Sequence, residues 1–592
     1  MTEDISNKLL AQGPNDLTQY SVPDQTRKVL EDGILGNASI VQHLPLEANK
    51  YAKIIRFDGS DLPSLPINWR FAESISSLKA LEAIMLSALL KRKYDIVPKE
   101  IVINTDHAQL FIMSALLWTL DPLGENVTPM STLTPEGKSK FSSYFPDCDL
   151  HHSTSSIYKY AVTNIYKTKD GRFFHLHGSM DPRPSLRSLG LPEENKDADL
   201  SLSCRIIGDA VANLTAESLQ DLATNKFKQA GTICYSTDEY KSSDHGRANA
   251  HVGLWDMHYH PNPTQKPFWW TDCAMTSPRR PLGGLKVLDL TRVIAAPAIA
   301  RGLAEYGASV LRVTSNDVTD MSLLHPDLNH GKWNCNLDLK KETDRDILHE
   351  LILEADVILQ GYRPGVLEKY GLSEKDLLNL CGKREYGIVY ARENCYGWAG
   401  PWQERSGWQQ ISDANCGVSL EFGRAMGNDE PVTPVFPNSD YCTGVAGVAG
   451  ILAALMQRAE KGGSYTVDIA LNYYSQWLVD SVGTYPSLIW NDVWARNGSP
   501  VFRHYDNMQV LLPAVLKQII TNSSQKLMRP EFFTQYPIKN MDDLIIKHPA
   551  PIIRFPNREI EPGFHVGTRG NGVDAPHWPS DLSVEVVSKH DG

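Results

Sequence analysis

The segments LKVLDL (285–290), AAPAIARGLAEYG (295–307) and ASVLRVT (308–314), set close together in the chain, leave it few options. Two short runs rich in Val and Leu read as strands buried on both faces, and the Ala-rich segment between them reads as a helix. Strands joined by a single helix lie parallel, because only a crossover returns the chain to the same end of the sheet. The pattern continues with a predicted helix at 341–354, a strand in ADVILQ (355–360) and another in GIVYAR (387–392). The expectation is an α/β domain on an open, parallel, Rossmann-like sheet. The turn after its first strand reads TRVIAAP where a dinucleotide site needs G-x-G-x-x-G, so NAD or FAD binding gains little support.

A chain of 592 residues exceeds what one hydrophobic core usually organises. The clearest boundary is TSPRRPLGG (276–284), where basic, Pro and Gly residues interrupt the pattern. Four regions follow: an N-terminal tail (1–40), a region with a smaller α+β domain (41–280), the Rossmann-like domain (281–480) and a C-terminal extension (481–592). Within the second, IYKTKDGRFFHLHGS (165–179) reads as a hairpin with a DG turn, and LTAESLQDLATNKFKQAG (214–231) as a helix starting near Thr215. In the extension, HVGTRGNGVDAP (565–576) reads as a flexible polar loop.

The formal charge of −12 argues against nucleic-acid or anionic-membrane partners, which require clustered Lys and Arg. No run reaches the expected length of a membrane span. The start, MTEDISNKLLAQGPND, lacks the apolar stretch of a signal peptide, and the final KHDG is no peroxisomal address. Nine cysteines stand singly with no CxxC pair, which fits free thiols in a reducing compartment. The expected setting is intracellular and cytoplasmic.

An internal echo links residues 64–105 with 433–471. Each segment runs from proline through an acid into a long apolar helix, then a basic loop and a strand. In the second copy, NSDYCTGVAGVAGILAALM (438–456), the acid is Asp440; in the first it is Glu73, once a short indel is allowed. Glu73 is read as structural. Taken alone, Asp440 suits a helix cap.

The stretches PLGGLKVLDLTRVIAAP, YGASVLRV, NLDLK (336–340), ADVILQGYRPGVLEKYGL (355–372) and CYGWAGPW (395–402), with the Asp440 helix after them, resemble in order the front half of the class III CoA-transferases. That family includes formyl-CoA and carnitine CoA-transferases and α-methylacyl-CoA racemase. Residues 40–280 resemble the family's back half, so the halves stand in swapped order, as in a trimmed tandem. The resemblance implies an acyl-CoA:carboxylate CoA-transferase with Asp440 as nucleophile. It implies no tightly bound cofactor, coenzyme A arriving as the acyl-CoA co-substrate, and a carboxylic acid as the other partner. It also implies a homodimer or an internal pseudo-dimer. By matching position, Val293 and Ala295 would line the pantetheine path, Leu337 and Lys340 would meet the adenine and ribose phosphate, and Lys369 would stand near the phosphates. Gly361 and Ser315 depart from the pattern where formyl-CoA transferase has asparagine and arginine; Arg363 either compensates or braces its turn.

The racemase branch needs a histidine after a glycine upstream of the aspartate. In SGWQQISDANCG (406–417) that place is Trp408, whose indole does no acid–base work at neutral pH. Two alternatives stay open: a racemase, epimerase or dehydratase on this fold, and a CoA-binding relative without turnover. His175 with His177, and His258 with His260, have metal-friendly spacing but lack a third ligand in sequence, so no metal site is assigned. Cys442 lacks a histidine partner, and G-x-S-x-G does not occur. Trp398, Trp402 and Trp408 read either as an aromatic acyl pocket or as core.

Overall fold

A computed structural model describes residues 16–586. The chain start read above, through residue 15, and the KHDG terminus lie outside the described residues. The centre is a seven-stranded sheet. Its strands in chain order are β1 (Asp256–His260), β2 (Lys286–Leu290), β3 (Ser309–Thr314), β4 (Lys332–Asn336), β5 (Val357–Gln360), β6 (Val389–Asn394) and β7 (Ser464–Ala470). They lie side by side as β4-β3-β2-β5-β6-β7-β1. All pairs from β4 to β7 are parallel, and β1 closes the edge antiparallel to β7. The expected mixed α/β class is therefore observed. Strands β3, β5 and β7 are buried along their full length, which is why they read as near-continuous apolar runs. Because β1 belongs to this sheet, the sheet begins ahead of the TSPRRPLGG punctuation.

Two 24-residue helices, α1 (Phe71–Tyr94) and α3 (Asn438–Lys461), run side by side through the core. Each is followed by a buried strand and at once by a seven-residue helix, Thr105–Phe111 and Leu471–Trp477. Glu73 and Asp440 are both the third residue of their helix, which gives the internal echo a structural register. Glu73 is fully buried. It accepts hydrogen bonds from the hydroxyls of Tyr20 and, at 3.2 Å, Tyr485, and pairs with Arg70 at 3.5 Å. That is a closed structural arrangement, as its reading anticipated.

Against sequence expectation, α3 is long and apolar enough to cross a membrane. It is enclosed by protein instead. Its GVAGVAG stretch explains the depth of packing. Helix α2 (Ala295–Glu305), the crossover after β2, lies directly on α3. A Cβ added at Gly444 would stand 2.7 Å from Ala298 Cβ and 3.3 Å from the Ala295 carbonyl oxygen; one at Gly447 would meet Ile299 Cδ1 at 2.5 Å. The two backbones approach as closely as glycine allows.

The smaller α+β part holds an antiparallel sheet of Asn164–Lys167, Phe173–Leu176 and Gly231–Ile233. The hairpin is present, and Thr215 caps the following helix through Ser218 N–H. Two expectations change. Residues 17–41, read as part of a tail, are mostly helical and bury Val22, Val29, Leu30 and Ile34 in the main core. Residues 565–576 are an anchored strap rather than a flexible loop. Arg569 is fully buried and pairs with Asp574 at 2.8 Å and with Glu585, while Asn571 meets Arg312 at 2.8 Å. Polar composition suggested solvent, but these polar groups find charged partners inside.

Gly444→Val is expected to lower the unfolding free energy by about 1–3 kcal/mol, because the rigid backbone and Ala298 opposite cannot yield. A shift of the urea midpoint at unchanged slope would show it.

Candidate active site

The parallel strands end on one edge, and ligands of such sheets lie outside that edge near the point where strand order reverses. Here the reversal falls between β2 and β5, and a cavity of about 470 Å³ opens there. Its walls come from the residues after β2 (Arg292 to Ala295), after β3 (Asp317 to Thr319), after β5 (Gly361 to Arg363) and at the end of β6 (Glu393 to Cys395). Asp440 enters from the first turn of α3. The small domain of the same chain adds Ser179, Met180, Asp181 and Gln229.

A second cavity of about 290 Å³ meets the first. The two share Ser179, Met180, Val293, Ile294, Trp408 and Asp440 in their walls. Asp440 thus stands where a polar crevice joins an inner chamber. Two shared or adjacent wall residues carry backbone strain. Val293 has φ 74° and Phe436 φ 75°, left-handed values that cost a β-branched or bulky side chain about 1–3 kcal/mol each. Val293 bends the chain from β2 into α2, and Phe436 turns it into α3 just ahead of Asp440.

Asp440 is not the N-cap of its helix; Pro437 holds that place and makes no side-chain cap. The carboxyl lies in the first turn, where unpaired N–H groups favour negative charge. Its pKa is nevertheless pushed well up, first by burial, then by the nearby charges of Glu393 and Asp413. Asp413 is held by Ser439 Oγ at 2.7 Å and Gln409 Nε2 at 2.8 Å, and burial raises it to about 6. Burial alone raises Glu393 to about 8. At neutral pH Glu393 therefore keeps its proton. The sequence reading missed it, because a Glu at the end of a strand carries no motif.

Of the residues assigned from sequence, Val293, Ala295 and Asp440 line the same cavity. Leu337, Lys340 and Lys369 are not in its wall. Leu337 is core beside β4, Lys340 is exposed and pairs with Asp317 at 2.7 Å on the rim, and Lys369 is exposed over the Tyr370 ring. The cations in the wall are arginines: Arg292, Arg363 and Arg405. Arg292 donates to the Thr319 carbonyl at 2.6 Å, Arg363 to the Lys228 carbonyl at 2.8 Å, and Arg405 lies over the Trp402 ring with a buried Nη1 that has no partner. None of the three has a carboxylate partner among the described residues, so three cations are left for an anionic ligand.

Trp408 lines both cavities, stacks on His177 at 5.5 Å between ring centroids and donates to Ser179 Oγ at 3.1 Å. Trp398 and Trp402 are not in either wall; the first donates to the Ile469 carbonyl and the second stacks on His245. His177 Nδ1 accepts the Ser179 N–H at 2.8 Å, so Nε2 carries the proton toward Gln410 Oε1 at 3.2 Å. Both nitrogens are occupied, and burial pulls the imidazole down to about 3. Such a ring is a poor base. His258 and His260 face Asp468 and Thr466 on the far side of the sheet edge. Cys442 is buried, its thiol raised to about 12 by burial.

Glu393→Gln is the sharpest electrostatic test. A carboxyl whose folded pKa is raised contributes its stability fully below the unfolded value and loses it as pH rises toward about 8. The variant is therefore expected to melt above the parent at pH 8 and near it at pH 5.

The model of CoA-transferase family III matches residues 282–510. The chain is 50% identical over 579 residues to the acetyl-coenzyme A transferase nodX of Hypoxylon pulicicidum, covering 96% of both chains. It is 33% identical over 447 residues to an acyl-CoA transferase of Gibberella moniliformis, covering 72% of this chain and 74% of that one. Among solved structures, a CAIB/BAIF family protein from Brucella suis aligns at 25% identity and TM-score 0.30, covering 38% of this chain and 60% of that one.

Proposed function

This chain belongs to CoA-transferase family III, and from that premise we propose that it exchanges coenzyme A between an acyl-CoA thioester and a free carboxylic acid through a covalent adduct on Asp440. The observation that carries this reading is the position of Asp440, one carboxyl shared by two cavities and in no ion pair among the described residues. Family membership makes the chain a transferase acting on CoA thioesters. The covalent step is the part the geometry argues for.

The crevice suits the nucleotide end of coenzyme A, with Arg292, Arg363 and Arg405 meeting phosphates and Val293 and Ala295 flanking the pantetheine arm. An Asp440 oxygen attacks the thioester carbonyl carbon. The C–S bond breaks, the thiolate departs, and an acyl-aspartyl anhydride remains. The thiolate then attacks the Asp440 carbonyl, releases the donor acid as carboxylate, and leaves an aspartyl-CoA thioester. The acceptor carboxylate repeats the two steps in reverse order and regains Asp440. A carboxylate suits this role because it is ionisable in the working range and its anhydride stays reactive. The closed surroundings keep out water that would hydrolyse the anhydride. Glu393, neutral at pH 7, supplies an O–H toward charge building on the thioester oxygen without adding a second negative charge beside Asp440. The rival two-base racemisation is disfavoured by Trp408 and by the occupied nitrogens of His177.

The halves in swapped order have support in the shared third-residue position of Glu73 and Asp440. On this reading the chain is a rearranged tandem in which the small domain serves the large domain of the same polypeptide, an internal pseudo-dimer. The cavity wall built jointly from residues 179–181, 229 and 292–295 supports it.

Hydroxylamine added during turnover is expected to yield one hydroxamate, at Asp440, found by peptide mass spectrometry. Asp440→Asn should give none and lower kcat by about four orders of magnitude. An unmodified Asp440 under full turnover would refute the covalent route. Arg292→Ala and Arg405→Ala are expected to raise KM for the CoA thioester roughly 10- to 100-fold, with a smaller change in kcat.

A further inference from the structure

The inner chamber shares Asp440 with the crevice but has none of its three arginines in its wall, so its chemistry differs. Its walls include Trp408, Phe436, Met321, Leu324, Met508 and Leu512. The last two come from the C-terminal extension, whose helix Met508–Leu527 closes the space with its first turns. Among the described residues lining the chamber there is no lysine or arginine. Its carboxyl and imidazole groups are Asp440, Asp506, His175 and His177. Burial pulls the two imidazoles down to about 4 and about 3, so both are neutral at pH 7. A second carboxylate here would be buried facing carboxylates, with no cation to offset its lost hydration.

One polar group in the wall is unmet. Asn507 is 4% exposed, and its Oδ1 accepts the Gln509 N–H at 3.0 Å, capping the helix. That bond fixes the orientation of the amide. Nδ2 then points its hydrogens elsewhere, buried and without a partner. A buried unpaired donor costs stability unless a ligand oxygen completes it.

We propose that this chamber holds the acyl portion of the transferred acid, and that it selects an apolar monocarboxylic acid carrying an uncharged oxygen, a ketone or hydroxyl, within reach of Asn507. Dicarboxylic acids are excluded by the absence of a cation. The inference rests on Asp440 as the covalent centre, since that places the reacting carbonyl at the junction and the rest of the acyl group beyond it. It gives the C-terminal extension a role in choosing substrate.

Three matched donors test it: hexanoyl-CoA, 5-oxohexanoyl-CoA and glutaryl-CoA. The last two are near-isosteres that differ in an uncharged ketone against a carboxylate. With acetate as acceptor, kcat/KM for both monoacids should exceed that for glutaryl-CoA by at least about tenfold, and the oxo acid should lead the plain one by about threefold or more. Asn507→Ser keeps an N-capping oxygen and removes the amide donor, so the fold persists while the lead of 5-oxohexanoyl over hexanoyl falls to unity. Leu512→Lys sets a cation on the wall and should narrow the penalty on glutaryl-CoA. Equal turnover of glutaryl-CoA and 5-oxohexanoyl-CoA by the parent enzyme overturns the proposal, and so does an unchanged ketone preference in Asn507→Ser. Calorimetric titration of the same thioesters into Asp440→Asn separates the two readings. The predicted order of binding without a hydroxamate in the parent enzyme sinks only the covalent route; a hydroxamate with the order reversed sinks only the chamber assignment.

Discussion

The contact between helices α2 and α3 sets the position of nearly everything that matters here. Gly444 and Gly447 let the two backbones approach until Ala298 and Ile299 fill the space a side chain would need. One helix begins at Ala295, just past Val293, and the other delivers Asp440, so a single interface fixes both the wall of the crevice and the carboxyl within it. The interface is buried along its length, and a dense interior resists small shifts. That rigidity explains how two left-handed residues, Val293 and Phe436, are held at the helix starts. Packing over-determines the turns, and the local cost is absorbed.

Electrostatics then act on a geometry already fixed. Three carboxyls share a poorly solvated space; burial raises all three, and the charges of Glu393 and Asp413 push Asp440 up further. The proton that Glu393 retains at neutral pH keeps one negative charge away from Asp440. The arginines of the crevice have no carboxylate partners among the described residues, whereas buried arginines elsewhere, such as Arg301 with Asp327 and Arg458 with Asp356, do. The fold thus pairs its structural cations and leaves open those that face the ligand edge.

Much of this was legible in sequence where the signal is local. The βαβ unit at 285–314, the hairpin at 165–179 and the helix start at Thr215 follow from periodicity and turn chemistry, and each was found. Asp440 stands out in sequence through the motifs around it, and in the fold it lines both cavities. Other features come from distant segments and leave no local trace. Glu393 is one residue of an otherwise ordinary strand, and its character comes from burial. Lys340 and Lys369 matched by position, but a lysine's place in a motif does not say which way its stem leaves the sheet. The chamber joins residues 115, 180, 321, 408 and 512, which no window spans. The strap at 565–576 looked solvated because its composition is polar, and only the paired charges of Arg569 explain why it is buried.

The twin of the reactive helix has a consequence for how the molecule works over time. At the third place of α1, a glutamate is clasped by two phenols and a guanidinium, leaving no room for a thioester. A duplicated enzyme could alternate, loading one centre while the other discharges. Under the proposed covalent route the described residues offer one such centre, Asp440, so each cycle on it must finish before the next begins.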